Sequence, residues 1–315
     1  MMKRLVVALI LSCSAPVWAH HHHHHPIHHP HHRTGTHKKR IAHHHHSHQR
    51  RLVQTDTASG PLRLASGAAL IMNADNNQVI YAKNPDAQMP IASISKLMTA
   101  MVVLDAHPDM NEPITITEDD VDTLRHSMSR LPVGTTLPRS QMLLLALMAS
   151  ENRAAHALAR TYPGGLGKAV AAMNTKAVSL GMEHTHFIDP TGLHAENQST
   201  PNDLARMVKA AQHYATIHED TTTAAGLFSI GARHREEAFH NTDPLVRNHR
   251  WDIDLSKTGF INEAGKCLVL EARITDHHII MVLMHSSGSY TRFGDANRVR
   301  AWIDAHYHEQ VASVN

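Results

Sequence analysis

A lysine inside an apolar helical pattern is the feature that most constrains how this chain can fold. Residues 90–101 read Pro-Ile-Ala-Ser-Ile-Ser-Lys-Leu-Met-Thr-Ala-Met, and their large apolar side chains recur at helical spacing. The pattern predicts a buried helix that begins near Ser93 and carries Lys96 on the same face, one turn later. A buried ammonium group is unfavourable unless it has a partner or a function. A serine beside such an amine is a candidate nucleophile, although a capping serine and an exposed lysine would produce the same short pattern.

The charge of the chain is divided unevenly between its two ends. All 28 acidic residues lie after position 51, whereas eight of the 30 Lys and Arg residues lie at or before it. The remainder therefore carries 22 − 28 = −6 charges, so the folded part offers no basic surface for nucleic acid. A chain of 315 residues is long enough to bury a sizeable core.

The first 19 residues are typical of a secretory signal peptide. Lys3 and Arg4 precede an apolar run, and Ala19 ends a segment of the kind that signal peptidase cleaves. The run is too short to span a bilayer, and the residues before Cys13 match a lipoprotein signal poorly. We therefore expect export to the periplasm, and cleavage leaves Cys267 without a partner for an internal disulfide.

Residues 20–51 form a low-complexity tail rich in histidine and basic residues. The segment has almost nothing to bury, so we expect it to be disordered. Its histidines are interrupted by prolines and basic residues, which favours a native tract over an affinity tag. Imidazole suits zinc, nickel and copper, so metal binding by this tail is predicted, without an ordered site.

The order of predicted elements indicates an α+β fold in a domain spanning residues 62–310. Two strands, 68–73 and 79–83, come before the helix at Ser93. Helical patterns follow at 139–148, 153–162, 166–180 and 200–213, strands return at 251–257, 267–274 and 278–284, and a helix closes the domain at 291–307. The simplest assembly is one antiparallel sheet built from both chain ends, flanked by helices, with a helical subdomain inserted.

Two further polar clusters lie at junctions between predicted elements. Ser150-Glu151-Asn152 falls between two helices, and Lys257-Thr258-Gly259 falls on a late strand, where the glycine permits close backbone approach by a ligand. Each cluster alone is usually a helix cap or a strand end. In this order with Ser93 and Lys96, they match the Ser-x-x-Lys, Ser-x-Asn and Lys-Thr-Gly set of penicillin-recognising serine enzymes.

The chain thus resembles the low-molecular-mass penicillin-binding proteins, the D-alanyl-D-alanine carboxypeptidase family of serine peptidases, and especially its endopeptidases of the penicillin-binding protein 7 type. The likeness runs from about residue 62 to about residue 307 and is carried by segments 90–101, 150–155, 187–193 and 256–265. It implies the serine β-lactamase/DD-peptidase-like fold, an α/β sandwich. Glu151 stands where these endopeptidases often have aspartate, at a position whose side chain points away from the site in the family.

The resemblance implies the proton transfers of an acyl-enzyme mechanism. Ser93 would attack the carbonyl of a D-alanyl peptide bond, with Lys96 as the base, and Ser150 would relay a proton to the leaving amine. Lysine serves as a base only if its pKa falls well below about 10.4. Burial and the nearby charge of Lys257 are both expected to lower the pKa of Lys96.

The resemblance also implies how the substrate is held. Asn152 would contact the substrate's backbone amide, and Lys257, Thr258 and Gly259 would bind a carboxylate or carbonyl. The backbone N–H groups of Ser93 and Phe260 would form the oxyanion hole. No acidic residue is placed like the deacylation base of class A β-lactamases, so we expect β-lactams to form stable covalent adducts.

Three functions stay open at this stage. An endopeptidase would cleave D-alanyl cross-links, whereas a carboxypeptidase would remove terminal D-alanine. The chain ends soon after the closing helix, without the extra β-domain and C-terminal anchor of many carboxypeptidases, which favours the endopeptidase. An inert exported metal-binding protein is the third alternative, against which the intact motifs argue.

The expected partners are peptidoglycan stem peptides and cross-links, with β-lactams as covalent inhibitors. No cofactor is required by this chemistry, and no transmembrane helix is predicted after the signal peptide. The scattered histidines of the folded domain are interpreted as surface residues, so no metal site is predicted there. The sequence contains no information on oligomeric state.

Overall fold

The computed structural model describes residues 60–312, with side chains as far as His306. The predicted signal peptide and the His-rich tail lie outside the described residues. Within residues 60–312, every helix is too short or too polar to cross a membrane.

A five-stranded antiparallel sheet forms the centre of the domain. Its strands are β1 (Ala68–Asn73), β2 (Val79–Lys83), β9 (Asp252–Ile261), β10 (Gly265–Ile274) and β11 (His277–Ser286). They lie in the order β2-β1-β11-β10-β9. The two N-terminal strands pair with the C-terminal ones through β1 and β11, where Leu70 lies opposite Val282. The predicted sheet built from both chain ends is therefore confirmed.

The segment between β2 and β9 supplies most of the helices. They are α1 (Ser95–Asp105), α2 (Arg139–Met148), α3 (Asn152–Arg160), α4 (Leu166–Ser179), α5 (Pro201–Ala211), α6 (Ala215–Thr222) and α7 (Pro244–Arg247), and α8 (Thr291–Ala312) follows the sheet. Short strand pairs join this segment: β3 (Met89–Pro90) with β6 (Gln198–Ser199), β4 (Pro113–Thr115) with β5 (Thr136–Pro138), and β7 (Ala225–Ile230) with β8 (Arg235–His240). This is the predicted helical insertion.

The sheet separates two apolar cores because successive strand side chains point to opposite faces. Leu268 and Leu270 of β10 pack on one face in a cluster that includes Val299 of α8. Cys267 and Val269, on the other face, belong to the larger cluster with the helices of the inserted segment. The inner face of β9 and β10 is thereby brought against the start of α1.

The predicted helices and strands are all present, with ends that differ by a few residues. Strand β9 continues to Ile261 and so includes the whole Lys-Thr-Gly motif, and α8 continues to Ala312. Helix α6 and the β7–β8 hairpin were not predicted. The hairpin's β8 is largely exposed and polar, and it is anchored by an edge-to-face contact between Phe228 and Phe239, 5.5 Å apart, which local sequence pattern cannot reveal.

Candidate active site

Ser93 lies in a 3-10 turn, Ala92–Ile94, immediately before α1. Ala92 has a positive φ of 49°, a conformation unfavourable for a residue with a side chain, so the surrounding packing must hold the turn in place. Strand β9 runs directly beside it. A Cβ on Gly259 would lie 2.9 Å from the Ile91 carbonyl oxygen and 3.1 Å from the Ser93 nitrogen, so this glycine is required by the protein's own backbone.

Lys96 is 1% exposed, and its amine contacts three oxygen atoms. Its Nζ lies 2.7 Å from Ser93 Oγ, 2.7 Å from Asn152 Oδ1 and 2.7 Å from the Thr191 carbonyl oxygen. Burial lowers the pKa of Lys96 to about 7, against the opposing effect of the carboxylates of Asp189 and Glu151. The apolar helix thus places an amine that titrates near neutrality beside a serine hydroxyl.

Lys257 is the second buried lysine, 1% exposed, and it approaches from β9. Its Nζ donates to Ser150 Oγ at 2.9 Å and to the Thr258 carbonyl oxygen at 2.9 Å. Burial, followed by the charge of Lys96, lowers the pKa of Lys257 well below its ordinary value. From the sequence we expected burial and the charge of Lys257 to lower the pKa of Lys96. Burial is the largest cause in the structure, and the repulsion between the two amines is mutual.

The junction between α2 and α3 carries the middle motif. Ser150 adopts a positive φ of 59°, which directs the chain sharply from one helix into the next. The Asn152 amide bridges two partners, since its Oδ1 accepts from Lys96 and its Nδ2 donates to Ser127 Oγ at 2.9 Å. Glu151 is 7% exposed and accepts a hydrogen bond from Ser129 Oγ at 2.7 Å, so its side chain is directed to the neighbouring loop.

The remaining motif residues lie on the strand beside the serine. Thr258 Oγ1 donates to Thr242 Oγ1 at 2.7 Å, and Phe260 follows Gly259 with its ring 53% exposed. Lys266 Nζ lies 4.0 Å above that ring. The structure therefore brings Ser93, Lys96 and Asn152 into one hydrogen-bonded group, and Lys257 and Ser150 form a hydrogen-bonded pair. Thr258, Gly259 and Phe260 lie on the strand that carries Lys257, with Gly259 against the serine turn.

The loop 187–197 has a positioning role that sequence reasoning did not assign. Asp189 Oδ1 accepts from the backbone N–H groups of Thr191 at 2.6 Å and Gly192 at 2.8 Å, which orients the Thr191 carbonyl toward Lys96. Asn197 ties this loop to α1 by donating to Ser95 Oγ at 3.0 Å. The Asp-Pro-Thr-Gly turn composition could have indicated the loop. Its role in positioning the Thr191 carbonyl against Lys96 is visible only in the structure.

Gly192 and Ser127 were also missed. Gly192 has a φ of +81°, and a Cβ there would lie 1.8 Å from the Ala92 carbonyl oxygen, so the loop packs directly against the turn that carries Ser93. Ser127 lies in the loop between β4 and β5, and no motif identifies it. A cavity of about 280 Å³ opens beside Asn152 and Thr191, which leaves room for a ligand next to the hydrogen-bonded group.

Comparison with known proteins agrees with this geometry. The family model described as D-alanyl-D-alanine carboxypeptidase matches residues 54–288. The D-alanyl-D-alanine endopeptidase of Escherichia coli is 45% identical over 248 residues, covering 79% of this chain and 80% of the relative. That of Pseudomonas aeruginosa is 44% identical over 241 residues, covering 76% and 78%.

The fold is also similar to that of solved DD-peptidase structures. The crystal structure of a Streptomyces DD-transpeptidase superposes with a TM-score of 0.71 at 27% identity, covering 76% of this chain and 97% of that one. The predicted α+β fold and the serine DD-peptidase identification are both confirmed. The chain belongs to the D-alanyl-D-alanine carboxypeptidase family of serine peptidases.

Proposed function

We propose that this protein is a D-alanyl-D-alanine endopeptidase that cleaves D-Ala–diaminopimelate cross-links in peptidoglycan through an acyl-enzyme on Ser93. The observation that carries the proposal is Lys96, a buried amine 2.7 Å from Ser93 Oγ whose pKa is lowered to about 7. The endopeptidase activity is favoured over carboxypeptidase activity because the relatives that are 44% and 45% identical carry the endopeptidase name, whereas several named carboxypeptidases are 27% to 29% identical.

The three contacts of Lys96 direct its lone pair at the serine. A protonated lysine has three N–H groups, one for each of its acceptors, whereas the neutral amine has two and a lone pair. The Thr191 carbonyl and Asn152 Oδ1 only accept hydrogen bonds, so each retains an N–H group. Ser93 Oγ is the one of the three that can also donate. Deprotonated Lys96 is therefore poised to accept the Ser93 proton.

The pair formed by Lys257 and Ser150 supplies the proton to the leaving group. The Lys257 amine donates to the Thr258 carbonyl, which can only accept, and contacts Ser150 Oγ, which can accept or donate. Ser150 can therefore pass its own proton outward and be resupplied through this contact. Its backbone, with φ 59°, turns the chain between α2 and α3 and holds Oγ 2.9 Å from Lys257 Nζ.

The reaction follows with its atoms and charges balanced. Ser93 Oγ bonds to the D-alanyl carbonyl carbon while its proton passes to Lys96, and the oxyanion accepts hydrogen bonds from the backbone N–H groups of Ser93 and Phe260. The C–N bond then breaks as the leaving amine takes a proton from Ser150, which regains one from protonated Lys257. Solvent restores the proton of Lys257 and takes the one that Lys96 received from Ser93, so both lysines return to their starting forms. Neutral Lys96 next takes a proton from water as the water oxygen bonds to the ester carbon. It returns that proton to Ser93 Oγ as the C–O bond breaks, and the D-alanyl acid leaves and ionises.

Substrate recognition uses the edge of β9 and the cleft. Lys257 and Thr258 face the position of a substrate carbonyl or carboxylate, and Gly259 allows the strand to lie close to the serine turn. Asn152 reaches the substrate amide by exchanging its hydrogen bond to Ser127, because both ends of the Asn152 amide have internal partners in the free protein.

Labelling with a fluorescent penicillin tests the nucleophile and the expected β-lactam inhibition together. The wild-type protein should become covalently labelled, and Ser93→Ala should not. Ser229→Ala, which changes an exposed serine on β7, is the matched control and should label normally. Labelling of Ser93→Ala at the wild-type level would exclude Ser93 as the nucleophile.

Digestion of purified muropeptides separates the two peptidase activities. An endopeptidase converts cross-linked dimers to monomers, whereas a carboxypeptidase shortens pentapeptide monomers to tetrapeptides by one D-alanine. We expect dimer cleavage to be the faster reaction and to be abolished in Ser93→Ala. Preferential shortening of pentapeptides would support the carboxypeptidase alternative instead.

We also infer that the chain is exported to the periplasm and that its His-rich tail binds zinc, nickel or copper. Both inferences rest on sequence: a charged start followed by an apolar run in residues 1–19, and repeated imidazoles in residues 20–51. Fractionation of cells, followed by N-terminal sequencing, should recover a chain beginning at His20. Retention of the unprocessed chain in the cytoplasm would contradict the export proposal.

A further inference from the structure

Glu271 is a buried carboxylate that the peptidase mechanism does not use. It lies on β10, opposite Leu255 of β9 and Ile280 of β11, and is fully buried. Among the described residues, neither of its carboxylate oxygens has a hydrogen-bond partner. Buried polar atoms are nearly always satisfied, so an unpartnered carboxylate within a sheet points to a missing ligand.

Two further metal-ligating side chains converge on this carboxylate. Donor atoms of Glu271, Asp254 and His278 all lie within 4.8 Å of one another. His278 Nδ1 is 2.9 Å from Asp254 Oδ2 and 4.0 Å from Glu271 Oε1. Asp254 falls where the β9–β10 register shifts by one residue, and such bulges re-aim side chains. Three adjacent strands thus each contribute one donor.

Acidic side chains outnumber basic ones around the cluster, where Arg273 Nη2 lies 3.2 Å from His278 Nε2. Asp75 lies next to it, with Oδ2 accepting from the His278 backbone N–H at 3.3 Å and lying 3.7 Å from His277 Nδ1. Lys209 is a nearby cation, but its amine donates to the Ala74 carbonyl and to Asn77 Oδ1. A bound divalent cation would offset this excess of negative charge.

We propose that Glu271, Asp254 and His278 bind a zinc ion that links strands β9, β10 and β11. One imidazole and two carboxylates are a donor set that zinc accepts in proteins. With bonds of about 2.0 to 2.2 Å, a tetrahedral zinc holds its donors about 3.3 to 3.6 Å apart. The observed separations of 2.9 and 4.0 Å reach that range through side-chain shifts below 1 Å.

The fourth coordination position faces an open space. Asp254 and His278 line a cavity of about 360 Å³ together with His213 and His218, which come from the segment around α5 and α6. Water can complete the coordination there, and the two histidines add imidazole groups to the same cavity. The site is separate from Ser93 and does not depend on the proposed peptidase activity.

Anomalous diffraction at the zinc absorption edge gives a test that is resolved by position. The tail histidines are expected to bind zinc independently, so a bulk titration of the full chain would not distinguish zinc bound by the tail from zinc bound at the Glu271 cluster. Crystals of the full chain grown with zinc should show an anomalous peak about 2.0 to 2.2 Å from donor atoms of Glu271, Asp254 and His278. Anomalous peaks elsewhere and none at this cluster would overturn the proposal.

Thermal unfolding with matched variants provides a second measurement in solution. Zinc at 100 times its dissociation constant should raise the melting temperature of the full chain by about 5 to 10 °C. Glu271→Gln and His278→Gln should lose this increase, whereas Asp252→Asn on β9 and His277→Gln on β11 should retain it. His278 is partly exposed, so His278→Gln should fold even if the buried substitution does not. An unchanged increase in both cluster variants would refute the site.

Discussion

The pH dependence of acylation follows directly from the burial of Lys96. Only the neutral amine accepts the Ser93 proton, and burial lowers the pKa of Lys96 to about 7. The neutral fraction then rises from about 1% at pH 5 to about 90% at pH 8, so the acylation rate constant should increase about 90-fold over this interval. If the lysine had an ordinary pKa, its neutral fraction and the acylation rate constant would still be rising about tenfold per pH unit at pH 9.

The assay measures the second-order rate constant for labelling by a fluorescent penicillin between pH 5 and pH 9. Circular dichroism at each pH confirms that the protein remains folded. Lys168→Met, which removes an exposed lysine, is the matched control and should change neither the rate nor the midpoint. Ser93→Ala provides the unlabelled baseline.

A second variant separates burial from charge repulsion as the cause of the shift. Lys257→Met should slow acylation and move the midpoint by less than one pH unit, because burial is the largest cause of the lowered pKa of Lys96. If the charge of Lys257 controlled Lys96, its removal would raise the midpoint by a unit or more. A rate that is flat from pH 5 to pH 8, or a midpoint above pH 9 in the wild-type protein, would refute Lys96 as the base.

Three further predictions concern the surroundings of the site and of the core. Gly192→Ala should lower the penicillin acylation rate by about 100-fold or more, because the new Cβ displaces the turn that holds the nucleophile. Gly134 also has a positive φ, +86°, but no atom of the described residues lies within 4 Å of a Cβ built there. Gly134→Ala should therefore lower stability by only about 1 to 2 kcal/mol and leave the acylation rate unchanged. Asp189→Asn should move the midpoint of the acylation profile below 7, since the Asp189 charge raises the pKa of the lysine base; a midpoint moving upward would contradict this. Burial raises the pKa of Asp220 from 3.8 to about 7, so the free energy of unfolding falls as pH rises through that interval. In urea unfolding, Asp220→Asn should be more stable than the wild-type protein by up to about 4 kcal/mol at pH 8 and by little at pH 3. Glu219→Gln, which removes the carboxylate that adds to the shift, should give a smaller gain in stability at pH 8.

The fold and the reacting groups could be predicted largely from local pattern. Apolar residues at helical spacing predict helix α1, and runs of apolar and β-branched residues predict strands β9, β10 and β11. The lysine within that helix indicated a functional site, and the order of the three motifs indicated a penicillin-recognising serine enzyme. Helix α6 and the β7–β8 hairpin were not predicted because tertiary packing stabilises them and their sequences lack a clear apolar period.

The exact partners of the two lysines could not be predicted in this way. Lys96 contacts Asn152 and Thr191, 56 and 95 positions away, and Lys257 contacts Ser150 across 107 positions. The pKa of a buried amine depends on the solvent removed and the charges brought near it, and both arise only when these segments pack together.

Sequence motifs and long-range contacts thus determine different features of this protein. The run of residues 90–101, read with the two later motifs, was sufficient to identify a serine, its basic lysine and the class of reaction. Folding placed the Thr191 carbonyl beside Lys96, fitted Gly192 against the serine turn and buried Glu271 next to Asp254 and His278. These features depend on distances between segments remote in the chain, which residue spacing does not encode.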